Sequence, residues 1–360
     1  MNHTVYGIDI AKSVFQLHWV DQETGEIFNK QLKRVKFLDY FANRAPCLIG
    51  MEVCGGAQHW GRRLTLMGHQ VKLMPGKAVK AFVMGNKNDA ADARAIWMAV
   101  QQADIKAVAI KTEAQQAVLA LHRMRQQLIK FRTMQSNELR GLLTEFGEVM
   151  AVGRAALNDA MPGILARLDD RLPSFLIDTL RERWDMLSTL DQQVTGIERR
   201  LLAWMKEDQA SQDIAEIPGV GLLTATAVVS TVGDVNIFKS GRQFSAWLGI
   251  VPGQIGTGGK VRLLSITKRG DTYLRTLLIH GARSVLEHSK EQSAWLQGIN
   301  LRRPKNVVVV ALANKMARTI WALLAHGKKY DRGHVSTKPA DLPTAASVHG
   351  LVIDHARRRG

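Results

Sequence analysis

The chain has 360 residues, of which 46% are hydrophobic, so it can bury sizeable cores and is not a disordered protein. Its 49 Lys and Arg outnumber 32 Asp and Glu and give a net charge of +17, which favours nucleic acid as the partner ahead of an anionic membrane surface. The two cysteines, Cys47 and Cys54, form no CxxC or Cys/His cluster. This pattern argues against a disulfide scaffold or a zinc site and is typical of a reducing cytoplasm.

The positive charge is concentrated in the last part of the chain. Residues 1–110 carry a net charge of +5, residues 111–210 are neutral, and residues 211–360 carry +12. We therefore expect the main nucleic-acid contacts after residue 210. The N-terminal sequence has an acid inside its apolar stretch, unlike a signal peptide, and the longest uncharged run, 217–233, is rich in Gly, Thr and Ser. We expect no membrane span.

The first 110 residues alternate between strand and helix patterns. Residues 4–20 predict two strands joined by a turn, and 24–32 extend the same antiparallel sheet. The later elements are a helix near 36–43, a strand at 47–53, a helix at 57–68, a strand at 70–75, a helix at 77–85 and a helix from 89 to about 103. This order predicts an α/β domain, 1–110, whose sheet is covered on both faces.

Residues 111–210 contain two long segments with a helical pattern. Apolar residues recur at three- and four-residue spacing over 113–147 and 173–207, joined by a linker that contains Gly153, Pro162 and Gly163. The pattern predicts a long-helix insertion, an antiparallel coiled coil that serves as a spacer or a self-association arm. Two helices packed on the body of the protein are the alternative.

Residues 211–327 are basic, glycine-rich and mostly helical in pattern, and a helix at 306–326 closes them. The segment IPGVG at 217–221 predicts a helix-hairpin-helix turn, in which Gly219 and Gly221 let the backbone approach a DNA phosphate. A simple helix–helix turn would look similar. Residues 328–360 predict a basic, partly disordered tail.

Basic and hydroxyl side chains follow in the segment 238–278. The candidates for nucleic-acid contacts there are Arg242, Lys260, Arg262, Ser265, Lys268, Arg269 and Arg275. Because they lie among glycines, they can follow a phosphate backbone. A solvated basic face is the alternative.

Four acids in the first domain form a candidate metal site. Asp9 lies between Ile8 and Ile10 in an apolar strand, Glu52 ends a strand, and Asp89 and Asp92 stand three apart at a helix start. Asp89 as a helix cap and Asp92 as a first-turn acid are the structural alternatives. Carboxylate oxygens suit Mg²⁺ or Mn²⁺, and two such ions about 3.5–4 Å apart can activate attacking and leaving oxygens in phosphoryl transfer.

Three segments carry a family resemblance. GIDIAKSVF, GMEVCGG and GNKNDAADARAI, in this order, resemble the DEDD-type insertion-sequence transposases, whose N-terminal domain is ribonuclease H-like and similar to the RuvC resolvase. RQF-A-LG, GGK and ITKRGD-YLR resemble the C-terminal domain of the same family. The resemblance implies that Asp9, Glu52, Asp89 and Asp92 are the catalytic, metal-binding tetrad.

The chain departs from this family at one position. In the family the glycine-rich loop carries a serine nucleophile that links covalently to DNA, and the matching residue here is Thr257. Threonine can act as a nucleophile when a base or metal activates it, although its methyl group crowds in-line attack. Ser265, eight residues later, is the second candidate and otherwise a phosphate contact.

The resemblance implies an RNA-guided recombinase of the bridge type. Such a protein binds donor DNA, target DNA and a structured non-coding guide RNA, and it assembles as dimers and tetramers that join the carboxylate domain of one subunit to the nucleophile domain of another. It would act in the bacterial cytoplasm, on the nucleoid when bound to DNA. The alternatives are a structure-selective nuclease resembling Holliday-junction resolvases and a non-catalytic DNA-binding protein, which would leave Asp9, Asp89 and Asp92 without a role.

Overall fold

The N-terminal part of the chain forms a mixed five-stranded sheet. A computed structural model describes residues 4–86, 88–258 and 260–334. The strands are β1 (Val5–Ile10), β2 (Val14–Val20), β3 (Ile27–Lys33), β4 (Leu48–Glu52) and β5 (Gln70–Met74), in the spatial order β3-β2-β1-β4-β5. Strands β1, β2 and β3 are antiparallel neighbours, whereas β4 runs parallel to β1 and β5 parallel to β4. The predicted strands are therefore confirmed.

Helices cover both faces of this sheet, as the sequence predicts. They are α1 (Phe37–Ala42), α2 (Ala57–Leu66), α3 (Gly76–Lys80) and α4 (Asp89–Val100). Ile8, Leu17 and Met51 point into the core shared with α1 and α2. Val5 and Leu48 pack on the opposite side, in the cluster with Val100 and other residues of α4. Helix α3 ends five residues before its predicted end. Phe82 N–H donates to Val79 O in a turn, and the side chains of Val79 and Phe82 both pack in that cluster.

Helix α4 lies unusually close to the sheet. A Cβ atom at Gly7 would collide with Ala93 O and Trp97 N of the helix backbone. A Cβ at Gly50, the partner of Gly7 in the β1–β4 register, would lie 2.8 Å from Val100 Cβ. The two glycines therefore permit a helix–sheet distance that any larger residue would prevent.

The two predicted long helices are confirmed. They are α5 (Glu113–Glu145) and α7 (Ser174–Glu207). Thr112 and Gln115 close the start of α5 with a capping box, in which each side chain bonds the other residue's backbone N–H. Arg125 pairs with Glu198, and Arg132 with Asp191, each at 2.6 Å. The order of these pairs shows that the helices run antiparallel.

The segment predicted as a linker between them contains a helix, so that prediction is wrong. Helix α6 (Arg154–Asp169) includes Pro162 and Gly163. Its residues Leu157, Met161, Ile164 and Leu168 are fully or almost fully buried against the long helices. This burial of apolar area outweighs the low helix propensity of Pro and Gly.

The C-terminal region is helical apart from one β-hairpin. Its helices are α8 (Gln209–Ala215), α9 (Leu222–Val232), α10 (Gly241–Trp247), α11 (Thr272–His288), α12 (Ala294–Asn300) and α13 (Lys305–His326). The hairpin consists of β6 (Pro252–Thr257) and β7 (Lys260–Ile266), where the sequence predicts a glycine-rich loop. Every described residue from Gln254 to Ser265 is exposed, so neither strand has a buried face. The sequence therefore lacks the sustained alternation of apolar and polar residues that would predict these strands.

Helix α13 is the core helix of this region and confirms the helix predicted at 306–326. It is long and apolar enough to cross a membrane by length and composition. However, its residues Val308, Ala313, Met316, Ala317 and Ile320 are buried within the protein. Residues 335–360 of the predicted tail lie outside the described residues.

A buried histidine joins α5 to the C-terminal helices. His122 Nε2 lies 2.9 Å from Thr226 Oγ1 of α9, and His122 Nδ1 lies 2.9 Å from the Tyr273 hydroxyl of α11. Thr226 donates its own proton to Leu222 O, so it accepts from Nε2–H, and Nδ1 then accepts from Tyr273. Burial lowers the pKa of His122 to about 4, which keeps the ring neutral for this arrangement.

The packing at Gly7 gives a testable expectation. Gly7→Ala should destabilise the protein by about 1–3 kcal/mol, because α4 must move away from β1 to admit the methyl group. Gly141→Ala is the matched control: Gly141 lies in α5 with no neighbouring atom within 4 Å of its Cβ position, and alanine should stabilise the helix by about 0.5–1 kcal/mol. Urea unfolding measures both. Equal stability of Gly7→Ala and the wild type would contradict the packing argument.

Candidate carboxylate site and nucleic-acid surface

Asp9 lies near the end of β1 on the side that faces α4. Side chains two residues apart share one face of a strand, so Asp9 is on the same face as Gly7. Its cross-strand partner is Gln16, which is 7% exposed. Since Gly7 contacts Ala93 and Trp97, Asp9 is brought towards the first turn of α4.

Glu52 comes to the same edge from the neighbouring strand. It is the last residue of β4, which runs parallel to β1, so both strands deliver their acids at their carboxyl ends. A Cβ at Gly76, the first residue of α3, would lie 2.5 Å from Glu52 Oε1. The carboxylate therefore packs directly on the backbone of α3, in the space that the missing side chain of Gly76 leaves open. No pattern in the sequence predicts this contact.

Asp89 and Asp92 lie in the first turn of α4. The helix cap is Asn88, whose Oδ1 accepts from Ala91 N–H at 2.8 Å. Asn88 thus takes the capping role that was the structural alternative for Asp89. The aspartates are left in the helix start, where the helix dipole favours negative charge.

The electrostatics show that the four acids share one region. Burial raises the pKa of Asp9, and the charges of Asp92, Asp89 and Glu52 raise it further. The same region contains Cys54, whose thiol pKa is raised by burial and by Asp9 and Glu52. The sequence pattern does not place Cys54 here, because only the fold brings the loop after β4 beside Asp9.

The donor set suits a hard divalent cation, because four carboxylates supply oxygens only and repel one another without a cation. The side chains are nevertheless spread out. Among residues 4–86, 88–258 and 260–334, no three His, Cys, Asp or Glu side chains converge closely enough to hold one ion. The chemistry of the residues fits a metal, and binding one would require the carboxylates to draw together.

Thr257 lies at the tip of the β-hairpin and is exposed. It pairs with Lys260, and Gly258 takes a left-handed conformation in the turn (φ 57°). Directly paired residues share a face, which places Thr257, Lys260 and the Ile255–Arg262 pair on one side of the hairpin.

The opposite side of the hairpin carries no basic residue near the tip among the residues that the structure describes. At the tip it carries Val261 and Leu263. The register shifts between the Gln254–Leu263 and Pro252–Ile266 pairs, which puts one extra residue into β7, so the alternation of faces does not continue to Ser265. Ser265 lies beyond this irregularity, further from the hairpin tip than Thr257 and Lys260.

The remaining basic candidates differ in exposure. Arg242, Lys268 and Arg269 are exposed, and Lys268 is the one non-glycine residue with positive φ (54°) among those described. Arg275 is 8% exposed. Its guanidinium donates to Leu248 O, Gly270 O and Thr272 Oγ1, each at 3.2 Å, so it is occupied within the protein.

The glycines of IPGVG have separate surroundings. Gly219 (φ 86°) packs against α11, where a Cβ would lie 2.8 Å from Gly281 O. Its small size is therefore explained by contact within the protein. Gly221 is the N-cap of α9, is exposed, and has no atom within 4 Å of its Cβ position, so the start of this helix is open to solvent.

Comparison with known proteins gives two family matches. Residues 211–297 match the family described as Transposase IS116/IS110/IS902, and residues 6–147 match the DEDD transposase family of the IS110 type. The second match implies a ribonuclease H-like fold for the domain that contains the five-stranded sheet.

Full-length relatives agree with these matches. A probable family 20 transposase of Pseudomonas aeruginosa is 45% identical, over 92% of this chain and 100% of that protein. The transposase for insertion sequence element IS1111A of Coxiella burnetii is 41% identical, over 91% of this chain and 92% of that protein. The transposase for insertion sequence element IS1328 of Yersinia enterocolitica is 36% identical, over 92% of this chain and 99% of that protein.

The crowding of acids around Asp9 gives a testable expectation. The raised pKa of Asp9 means that the folded state loses stability as pH rises from about 3.9, the ordinary value, through the raised value. Asp9→Asn removes this loss. In EDTA at pH 7 the variant should therefore melt at a higher temperature than the wild type, and Mg²⁺ or Mn²⁺ should stabilise it less.

Asp104→Asn is the matched control, since Asp104 is an exposed acid in the same domain. Thermal melts with EDTA and with Mg²⁺ should not distinguish it from the wild type. A lower melting temperature for Asp9→Asn in EDTA, or equal stabilisation of all three proteins by Mg²⁺, would contradict the shared-site interpretation.

Proposed function

Because this chain belongs to the IS110-type DEDD transposases of insertion sequences, we propose that it cuts and rejoins DNA with the carboxylates around Asp9 and the hydroxyl of Thr257. The observation that carries this proposal is the placement of Asp9 and Glu52 at the carboxyl ends of the neighbouring parallel strands β1 and β4, with the first turn of α4, which bears Asp89 and Asp92, on a helix packed directly on β1 at Gly7. Strand ends and a helix start rarely bring four acids together unless a cation or a reaction needs them.

The carboxylates are proposed to hold Mg²⁺ or Mn²⁺. Such ions, when bound, stabilise the charge that develops on the attacking and leaving oxygens of phosphoryl transfer. Asp9 and Glu52 stand on sheet strands, and Asp89 and Asp92 on a helix packed against that sheet. This rigid support is what a metal site requires.

Thr257 is proposed as the nucleophile. Its Oγ1 attacks the DNA phosphorus, a P–Oγ bond forms, the bond to one DNA oxygen breaks, and that oxygen leaves as a strand-end hydroxyl after taking up a proton. The hydroxyl proton of Thr257 passes to a carboxylate or to solvent. Attack by a DNA hydroxyl on the threonine ester reverses these steps and joins a new strand pair.

Lys260 and Arg262 support this step by charge. Both lie on the Thr257 face of the hairpin, so a phosphate in contact with the hydroxyl is close to two cations. Cations placed beside the developing negative charge stabilise the transition state. Arg242, Lys268, Arg269 and the open start of α9 at Gly221 are proposed to contact neighbouring phosphates.

The partners are proposed as donor DNA, target DNA and a structured guide RNA, in keeping with the family resemblance and the charge of +17. Self-association is proposed through α5 and α7 as a coiled coil. An open apolar groove between them, here the α5–α7 groove, is lined by Met124, Leu128 and Phe131 together with Gln193 and Ile197. Met124 and Phe131 are 54% and 46% exposed, so a second copy could bury them.

A structure-selective nuclease is the second candidate. It would use the same carboxylates with water as the nucleophile, and the methyl group of Thr257, which crowds in-line attack, favours it. The two functions differ in whether protein becomes bound to DNA.

The nucleophile assignment is tested by trapping. On DNA that carries the element's end, the wild type should yield a covalent protein–DNA adduct. Thr257→Ala should abolish the adduct, whereas Thr257→Ser should retain it or increase it by removing the crowding methyl. Denaturing gels of labelled DNA and mass spectrometry of the linked peptide measure this. Asp9→Asn should also abolish the adduct while leaving DNA binding intact.

Other outcomes separate the alternatives. If Thr257 only bonded a phosphate, alanine would cost about 1.5–3 kcal/mol of binding and leave the adduct in place. An adduct lost in Ser265→Ala but kept in Thr257→Ala would move the nucleophile to Ser265. Strand cutting without an adduct in every protein would support the nuclease.

The α5–α7 groove is tested by charge insertion. Phe131→Asp should shift the protein towards the monomer, with association weakened at least tenfold, because a carboxylate would be buried in an apolar interface. Phe175→Asp is the control, since Phe175 is 75% exposed at the far start of α7. Light scattering during size-exclusion chromatography measures the mass. A wild type that is monomeric at high concentration, or equal masses for both variants, would contradict self-association here.

A further inference from the structure

Arg275 was grouped with the DNA-contacting residues by its sequence, yet its guanidinium faces inwards. It is 8% exposed and donates to Leu248 O, Gly270 O and Thr272 Oγ1. In the described part of the chain no carboxylate lies within salt-bridge distance of it. Its burial is therefore explained by the carbonyl oxygens that it holds.

Those carbonyl oxygens belong to the two chain segments that enter and leave the hairpin. We call residues 248–251 and 267–270 the hairpin root. Leu248 O lies on the incoming segment and Gly270 O on the outgoing one, so one guanidinium on α11 ties both segments to the same helix. A planar group with several donors can do this, whereas a lysine ammonium is a single point of charge.

The packing of the root shows how closely it is fitted. A Cβ at Gly249 would lie 2.8 Å from both Arg269 N and Gly270 N, and one at Gly270 would collide with Trp247 O. Lys268 N–H donates to Gly249 O at 3.0 Å. Lys268 takes a left-handed backbone conformation (φ 54°), which is strained for a residue with a side chain and persists only where its surroundings impose it.

Beyond the root, nothing on the body of the protein covers the hairpin side chains that the structure describes, since Gln254 to Gly258 and Lys260 to Ser265 are all exposed. Six residues of β6 at about 3.4 Å each make a lever of roughly 20 Å. A rotation of roughly 5° at the root would move the tip by roughly 1.7 Å, which exceeds the ~0.5 Å that a catalytic group tolerates. The position of Thr257 is therefore determined at the root.

We propose that Arg275 is a positioning residue that fixes the hairpin root and thereby aims Thr257 at the scissile phosphate. The inference rests on the proposed nucleophilic role of Thr257. It assigns Arg275 no contact with DNA. Loss of Arg275 should leave the hairpin in place as a DNA-binding element but should let its tip move.

The test uses the full chain with Arg275→Gln, Arg275→Lys and the milder Thr272→Val, which removes one acceptor. Three quantities are measured: DNA affinity as a function of salt, the rate of adduct formation at saturating DNA, and the position of the cut. Both Arg275 variants should keep the wild-type affinity and salt slope but form the adduct at least 30-fold more slowly. Their cuts should also spread to neighbouring phosphates. Thr272→Val should form the adduct several-fold more slowly than the wild type.

Two arginines provide comparison. Arg283→Gln, an exposed change on the same helix, should match the wild type in all three quantities. Arg242→Gln should show what a lost phosphate contact does, namely weaker binding and a salt slope that falls by about 0.9. Arg275 variants that behave like Arg242→Gln would overturn the proposal, because Arg275 would then be a phosphate contact.

Further outcomes also decide the question. Wild-type rates and cut positions in both Arg275 variants would overturn the proposed positioning role. A lower melting temperature with equal losses in DNA binding and in the rate of adduct formation would also overturn it, because Arg275 would then only stabilise the fold. If the wild type cuts DNA without an adduct, the nucleophile assignment fails instead. The role of Arg275 in fixing the hairpin root is then tested by amide hydrogen exchange. Arg275→Gln should accelerate exchange selectively at Thr267 and Lys268.

Discussion

The close approach of α4 to β1 is the constraint on which the carboxylate site depends. Gly7 admits the helix backbone at Ala93 and Trp97, and this contact sets the height of the helix over the sheet. Asp9 is one pleat beyond Gly7, and Asp92 is one residue before Ala93. A helix held further out by a methyl group would take Asp92 away from Asp9. Packing between two small residues and a helix backbone thus determines the distances within a polar site.

A second set of contacts joins this domain to the helical remainder. Lys106, just after α4, donates to Ile237 O at 2.9 Å and to Gln243 Oε1 at 3.0 Å. Further along, His122 ties α5 to α9 and α11 through hydroxyl groups. Because the ring is neutral and fully bonded, this buried polar group carries little desolvation cost. The helix that bears Arg275 is therefore anchored on its other side to α5, through Tyr273.

The sequence predicted those parts whose signal is local. Short strand-like segments between turns and helices located β1 to β5, and the three- and four-residue spacing located α5 and α7 within two residues of their ends. Prediction from the sequence failed where burial in the tertiary structure outweighed helix propensity, as for Pro162 and Gly163 in α6. It also failed where a strand pair has no buried face, as in the β-hairpin.

The contacts of Gly76 with Glu52 and of Arg275 with Leu248 could not be predicted, because they join residues that only the fold brings together.

Thr257 at the hairpin tip, where the family that the sequence resembles carries a serine, connects these observations. A serine hydroxyl can reach a phosphate from several χ1 rotamers, so it can compensate for a hairpin that is slightly misplaced. A β-branched residue is restricted at χ1, and strand geometry restricts it further. The direction of Thr257 Oγ1 is therefore set largely by the backbone of β6, and so by the root at Gly249 and Gly270. With Thr257 in its proposed role as nucleophile, a firm root compensates for a side chain that cannot adjust itself, and the proposed positioning role of Arg275 matters more than it would beneath a serine.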